Sequence, residues 1–130
     1  MSDSSPPPLA VLRKRSDFLA ANRGLRVARA GFVLLVRRDA ADDGAMRFGI
    51  TVTKKIGGAV IRNRMKRRFR ELVRELLPVH GIAGADHVLI GREGGIERDF
   101  ALLRGELISA LDRATAGKGD PLRRRKPPAK

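Results

Sequence analysis

The sequence contains no cysteine, no tryptophan and no tyrosine. Without cysteine there is no disulfide framework and no thiolate metal site. Its two histidines, His80 and His87, cannot build a zinc site without help from other residues. Five phenylalanines are the only aromatics, so any stacking recognition must be sparse. Long apolar runs are missing too. Phe32–Val36 is the longest, far short of the roughly 20 residues a helix needs to cross a bilayer. Met1–Ser5 has neither the basic start nor the apolar stretch of a secretory signal. A membrane protein and a disulfide-stapled secreted domain are therefore not expected, and the expected compartment is the cytoplasm.

What the chain has in excess is positive charge. In 130 residues, 28 Lys and Arg face 14 Asp and Glu, a net charge of +14. The length suits one domain. The hydrophobic content of 42% still allows a core, so this is not a wholly disordered basic tail. The charge is also concentrated. Lys54–Arg74 and Lys118–Lys130 together carry all but one unit of it, and the remainder is close to neutral. Concentrated cationic blocks point to a polyanionic partner.

Residues 1–8, ending in Pro6-Pro7-Pro8, read as a disordered lead-in. Residues 116–130, with glycine and proline among basic residues, read as a disordered basic tail. The tail run Arg123-Arg124-Arg125-Lys126 fits either diffuse electrostatic attraction or simple solubility. The expected core is residues 9–115. Ser16-Asp17 looks like a helix start, and Gly24 a stop. Residues 31–38 suit a buried strand, and 39–44 have turn chemistry. Residues 47–53 alternate apolar and polar as a half-buried strand, making a hairpin with the strand before it. Gly57-Gly58 then precedes a helix over about 59–77, closed by Pro78, with Ile61, Met65, Phe69, Leu72, Val73 and Leu76 as its apolar stripe. Residues 86–91 read as a strand. Asp99 caps a last helix that buries Phe100, Leu103, Leu107 and Leu111. This order implies an α+β fold: a two-layer α/β sandwich of about three helices on a small mixed four-stranded sheet. By default the strand–helix–strand unit over 47–91, if parallel, would cross over right-handedly.

The strongest chemical signal lies on the long helix. Arg62, Lys66 and Arg70 form one line, and Arg64 and Arg68 a second, with Asn63 and Arg67 between them. Like charges at i, i+4 each cost a few tenths of a kcal/mol, and cations in a first turn oppose the helix dipole. Local stability does not account for such a face, whereas a phosphate backbone reverses both penalties. Backbone amides near Gly57-Gly58 can also approach phosphates. Asn63 suits a base edge or a 2′-hydroxyl. Phe18, beside Arg13-Lys14-Arg15, could stack on an unpaired base or could simply anchor the first helix in the core. Catalytic motifs are lacking: there is no Walker ending after Gly57-Gly58 and no nucleophile elbow. The nearest carboxylate pairs, Asp42-Asp43 and Glu93–Glu97, fall in a turn and a loop. Reacting groups would then come from a partner. A stand-alone structured-RNA-binding module, such as a ribosomal or nucleoid protein, fits the composition as well, and a protein-only nuclease fits it less.

The run Arg47–Arg70, RFGITVTKKIGGAVIRNRMKRRFR, resembles the bacterial ribonuclease P protein component, with Arg62-Asn63-Arg64 as its RNR signature. Arg15-Ser16-Asp17-Phe18, Gly31-Phe32-Val33 and the strand 86–91 add to the likeness. It covers about residues 9–115. The resemblance implies a ribonucleoprotein endoribonuclease that removes the 5′ leader of precursor tRNA, with Mg²⁺ held by the RNA subunit and no metal on the protein. It also implies a left-handed β-α-β crossover, against the general default. Residues Arg62, Asn63, Arg64, Lys66, Arg67, Arg68 and Arg70 would contact the RNA subunit, with Lys54 and Lys55 at the edge. Arg15 and Phe18 would meet the leader in a cleft between the first helix and the sheet. No membrane or small-molecule substrate is implied. Two positions depart from the family's pattern: Gly58 stands where many members have Asn, and Asn22 where many have a second aromatic.

Overall fold

The computed structural model describes residues 9–38, 40 and 44–117. The expected lead-in 1–8, most of the turn 39–44 and nearly all of the tail 116–130 lie outside them. The elements run β1 (Leu9–Val11), α1 (Arg15–Ala21), β2 (Leu25–Ala28), β3 (Phe32–Arg37), β4 (Met46–Thr51), α2 (Ala59–His80), β5 (Asp86–Gly91), a 3-10 turn (Glu93–Gly95) and α3 (Phe100–Thr115). The α+β sandwich expected from the sequence is present, with five strands in the sheet rather than four, ordered β1-β4-β5-β3-β2. β1 and β2 span three and four residues, too few for a periodicity to show.

The expected hairpin of β3 and β4 does not form. β5 lies between them, antiparallel to β3 and parallel to β4. The physical reason is burial. Asp86, His87, Val88 and Leu89 are each no more than 2% exposed, and such a strand is satisfied only with partners on both edges and cover on both faces. The β4–α2–β5 crossover thus joins neighbouring parallel strands. α2 and α3 cover one face. There Phe32, Leu34, Val36, Phe48 and Leu89 meet Met65, Phe69, Leu72, Leu103, Leu107 and Leu111, with Phe32 and Phe69 edge to face at 6.0 Å between centroids. The opposite face carries Val33, Leu35 and Val88 against Leu12 and Ala21 of the α1 region.

α2 runs past Pro78 to His80 rather than stopping at residue 77. A proline so near the C-terminus removes one backbone bond only, and Leu76 and Leu77, buried at 2% and 1%, hold the turn down. Ile61, assigned to the buried stripe, is 39% exposed and lies against Gly57 of the preceding loop rather than in the core. α1 begins at Arg15 with Lys14 as N-cap, two residues before the expected cap at Ser16, and with no side-chain cap. Asp99 does cap α3, accepting from the Ala101 N–H at 3.1 Å. At the other end Arg38 donates to the carbonyls of Ala114 and Thr115, satisfying orphan acceptors of the last turn.

His87 is 1% exposed. Its Nε2 accepts from the Ile82 N–H at 3.1 Å, and its Nδ1 lies 3.2 Å from the Arg47 carbonyl. That pattern requires a neutral ring with the proton on Nδ1. Burial pushes the imidazole below its ordinary value of 6.5. In acid, the unfolded chain therefore takes up a proton that the folded chain refuses. Stability is expected to hold above pH 7 and to fall as pH drops through 6.5. Urea denaturation of wild type and His87→Gln from pH 7.5 to 5 checks this. An equal slope in both proteins would refute it.

Candidate nucleic-acid interface

α2 places its cations by helical phase. Met65, Phe69, Leu72 and Leu76 fix the buried side. Asn63, Arg64, Arg67 and Arg74 are exposed on the opposite arc, whereas Lys66 and Arg70 lie half-buried along one flank. None of these residues forms an ion pair or side-chain hydrogen bond among the described residues. Arg62 is half-buried and partly committed. Its Nε donates to the Gly57 carbonyl at 3.1 Å, fastening the loop to the helix that follows it. Gly58, the N-cap, offers no side-chain acceptor, so the first amides of α2 face solvent among cations. Lys54 and Lys55 are exposed in the loop just before.

Arg68 departs from the expected cationic face. Its phase sets it beside the stripe on the α3 side, where it donates to the Arg98 carbonyl and lies over the Phe100 ring at 5.6 Å. It ties α2 to the start of α3 and is only partly accessible. Arg68→Ala is expected to cost stability, on the order of 1–3 kcal/mol for the bond and the ring contact together, with little change in RNA affinity. Thermal melting and RNA titration of one preparation separate the two. An affinity loss equal to that of Arg64→Ala would put Arg68 back on the binding face.

The other candidate surface is the sheet face under α1. Register lines up three rows across β3, β5 and β4: Arg37–Asp86–Arg47, then Leu35–Val88–Gly49, then Val33–Ile90–Thr51. The first row is ionic. Arg47 grips the fully buried Asp86 through Nε at 2.7 Å and Nη2 at 2.9 Å. Asp17 of α1 lies 3.6 Å from Arg47 and 3.9 Å from Arg37. Asp17 thus sits in the first turn of α1, as expected, while Ser16 does not cap the helix. In the second row Gly49 leaves room for Phe18. A Cβ there would sit 2.4 Å from the Phe18 ring, so ring and strand are in direct contact. Phe18 is thus both a core anchor and a partly exposed surface, since it packs on the buried cluster while remaining half-open. The third row, with Ala28 of β2 beside Val33, keeps Ile90 and Thr51 partly open. Thr53 and Arg92 continue those strands by two residues. They line a depression of about 600 Å³ with Ala30, Lys55, Ile56, Glu93 and Gly94. This depression lies beside Lys55 and the loop before α2, two residues beyond the third row on both strands.

Arg15 is exposed at the start of α1 and makes no ion pair among the described residues. Asn22 is exposed at the C-terminal end of α1, so no second aromatic adjoins Phe18 there. Glu93 and Glu97 are both exposed. Asp42 and Asp43 lie outside the described residues. Among the described residues no helix is long and apolar enough to cross a membrane. Sequence reasoning missed the Arg37, Arg47, Asp86 and Asp17 quartet. Its members are scattered over about 70 positions, and only strand register brings them together.

Comparison with known proteins gives concordant results. A family profile described as ribonuclease P matches residues 7–115. The ribonuclease P protein component of Erythrobacter litoralis is 70% identical over 117 residues, covering 90% of this chain and 95% of the relative. That of Caulobacter vibrioides is 45% identical over 100 residues, covering 77% and 67%. Among solved structures, the ribonuclease P protein of Staphylococcus aureus superposes with a TM-score of 0.68 at 30% identity, over 80% of this chain and 94% of that one. The protein from Thermotoga maritima superposes with a TM-score of 0.68 at 34% identity, over 78% and 94%.

Proposed function

From the premise that this chain belongs to the ribonuclease P protein family, we propose that α2 docks on the ribonuclease P RNA subunit and that the α1–sheet cleft holds the 5′ leader of precursor tRNA. Membership makes the chain the protein part of a ribonucleoprotein endoribonuclease of tRNA 5′ processing, with an RNA partner. The observation that carries the finer reading is the exposed arc of Asn63, Arg64, Arg67 and Arg74, free of internal ion pairs among the described residues, on the helix that follows the loop whose Lys55 and Ile56 line an open depression.

Arg64, Arg67, Arg70 and Lys66 neutralise phosphates of the RNA subunit, and guanidinium forks suit paired phosphate oxygens. Lys54, Lys55 and the first amides of α2 extend that surface. Asn63 donates to or accepts from a base edge or a 2′-hydroxyl. Phe18, half-buried, offers its ring to a leader base, and Arg15, exposed at the start of α1, meets its phosphate. With Asn22 in place of a second aromatic, the platform takes a single base. Mg²⁺ bound to the RNA subunit would activate the attacking water and stabilise the leaving oxygen. The protein's part is to screen repulsion between two polyanions and to fix the leader's position. The cytoplasm, where precursor tRNA is made, is the compartment this reading assigns.

The test compares protein alone, RNA subunit alone and the two together on a precursor tRNA at low Mg²⁺. Correct 5′ cleavage is expected only with both. If about six phosphates are neutralised, log K for the RNA subunit should fall with log salt at a slope of roughly −4 to −5. A slope near zero, or cleavage that the protein does not stimulate, would overturn the proposal.

A further inference from the structure

We propose that Asp17 is a positioning residue for leader binding: through Arg37 and Arg47 it holds α1, and with it the Phe18 ring, at a set height over β4. The inference rests on the reading of this cleft as the leader site.

α1 has little else to hold it. It is seven residues long with no side-chain cap, and helices this short do not persist without tertiary support. Of its side chains only Ala21 is fully buried, and Leu19 is 51% exposed. Its apolar purchase on the sheet is therefore small. Asp17 adds the specific part. It meets two guanidinium groups, at 3.6 and 3.9 Å. The nearer of them, Arg47, is not free to follow it. Arg47 is locked by two short bonds to Asp86, which is fully buried in β5, and Arg37 stands 3.9 Å from the same carboxylate. The cations are thus oriented by the sheet before α1 arrives, and pre-oriented partners lose little entropy on pairing. Phe18 is the next residue, and its ring already touches the bare backbone of Gly49. The ring cannot sink further, and the ion pairs stop it from rising. That leaves the half-buried ring held at a set place against Gly49 of β4.

The sign of the expected effect separates this role from bulk electrostatics. Removing a carboxylate beside an RNA site should strengthen RNA binding if charge alone mattered. Loss of positioning weakens it instead.

The experiment uses the reconstituted holoenzyme and two precursor tRNAs, with leaders of about ten and about two nucleotides, one long enough to reach the cleft and one too short. Asp17→Asn is expected to raise KM for the long-leader substrate by about tenfold, the worth of one lost stacking contact. The kcat, the short-leader KM and the affinity for the RNA subunit should stay at wild-type values. Asp17→Glu, which keeps the charge, should restore the long-leader KM. Gly49→Ala should reproduce the leader-specific loss by pushing the ring off the strand while the ion pairs remain. An unchanged or lowered long-leader KM in Asp17→Asn overturns the inference, and so does a loss shared by the short-leader substrate and by RNA-subunit binding. If the wild type itself does not distinguish the two leaders, the cleft reading fails and the inference fails with it. If the wild type distinguishes them and Asp17→Asn does so equally well, the inference alone fails.

Discussion

Replacing Arg64 and Arg67 together by alanine is expected to lower affinity for the RNA subunit at least about tenfold, a loss above ~1.4 kcal/mol. Both side chains are exposed on the arc of α2 away from the core, and neither has an internal partner among the described residues, so nothing in the fold depends on them. Alanine is the better helix former, and its introduction removes the like-charge neighbour of Arg68 at i, i+4. The melting temperature should accordingly hold or rise slightly. The same double variant should flatten the salt dependence of binding by about 1.4 to 1.8 in log K against log salt, the contribution of two phosphate contacts. Titration of the RNA subunit at several salt concentrations measures both quantities at once. Wild-type affinity with a wild-type slope would remove α2 from the interface. A loss of affinity without a change of slope would mean that the two arginines act on bases rather than phosphates.

A larger effect on stability is expected at the other end of the cleft. Arg47→Ala leaves the Asp86 carboxylate fully buried with Arg37, at 3.9 Å, as its one remaining cationic partner among the described residues. Breaking a buried pair in this way costs about 3–5 kcal/mol, a large part of the 5–15 kcal/mol that stabilises a typical domain. Replacing both partners by apolar residues of similar size, Arg47→Met with Asp86→Leu, should cost clearly less than the single change, because no charge is then stranded. Urea denaturation of the two variants decides it. A single-variant cost below about 1 kcal/mol would mean that water reaches Asp86 once Arg47 is gone. The pair thus adds more to the uniqueness of the β5 register than to net stability. One residue of slip would bring Asp86 opposite an apolar neighbour and turn the next residue's side chain to the wrong face.

Both predictions bear on how much of the molecule could be read from residues alone. The long helix was legible because its stripe repeats over several turns, and α3 because Asp99 announces it and four apolar residues follow at helical spacing. The central strands were legible in existence but not in pairing. β3 and β4 are neighbours in the chain, and chain neighbours usually pair, yet β5 separates them. Nothing local records that insertion. It follows from the need to bury both faces of an apolar strand. β1 and β2 were invisible because three or four residues cannot show a period. Pro78 misled because its cost depends on how near the helix end lies and on what Leu76 and Leu77 can bury.

The site divides along the same line. Sequence by itself determined that the partner is a polyanion, that a helix with one cationic face presents the charge, and, through the KKIG and RNR run, which family the chain resembles. Charge, phase and motif are local properties, and they survive any folding of the rest. Tertiary structure alone decided that Arg68 leaves the cationic face to clasp α3, that Arg62 spends a donor on its own loop, and that the half-buried Phe18 ring meets the strand at Gly49. It alone assembled Asp17, Arg37, Arg47 and Asp86. Those outcomes depend on which surfaces meet, and strand register and helix packing settle that only when the whole chain has found its core.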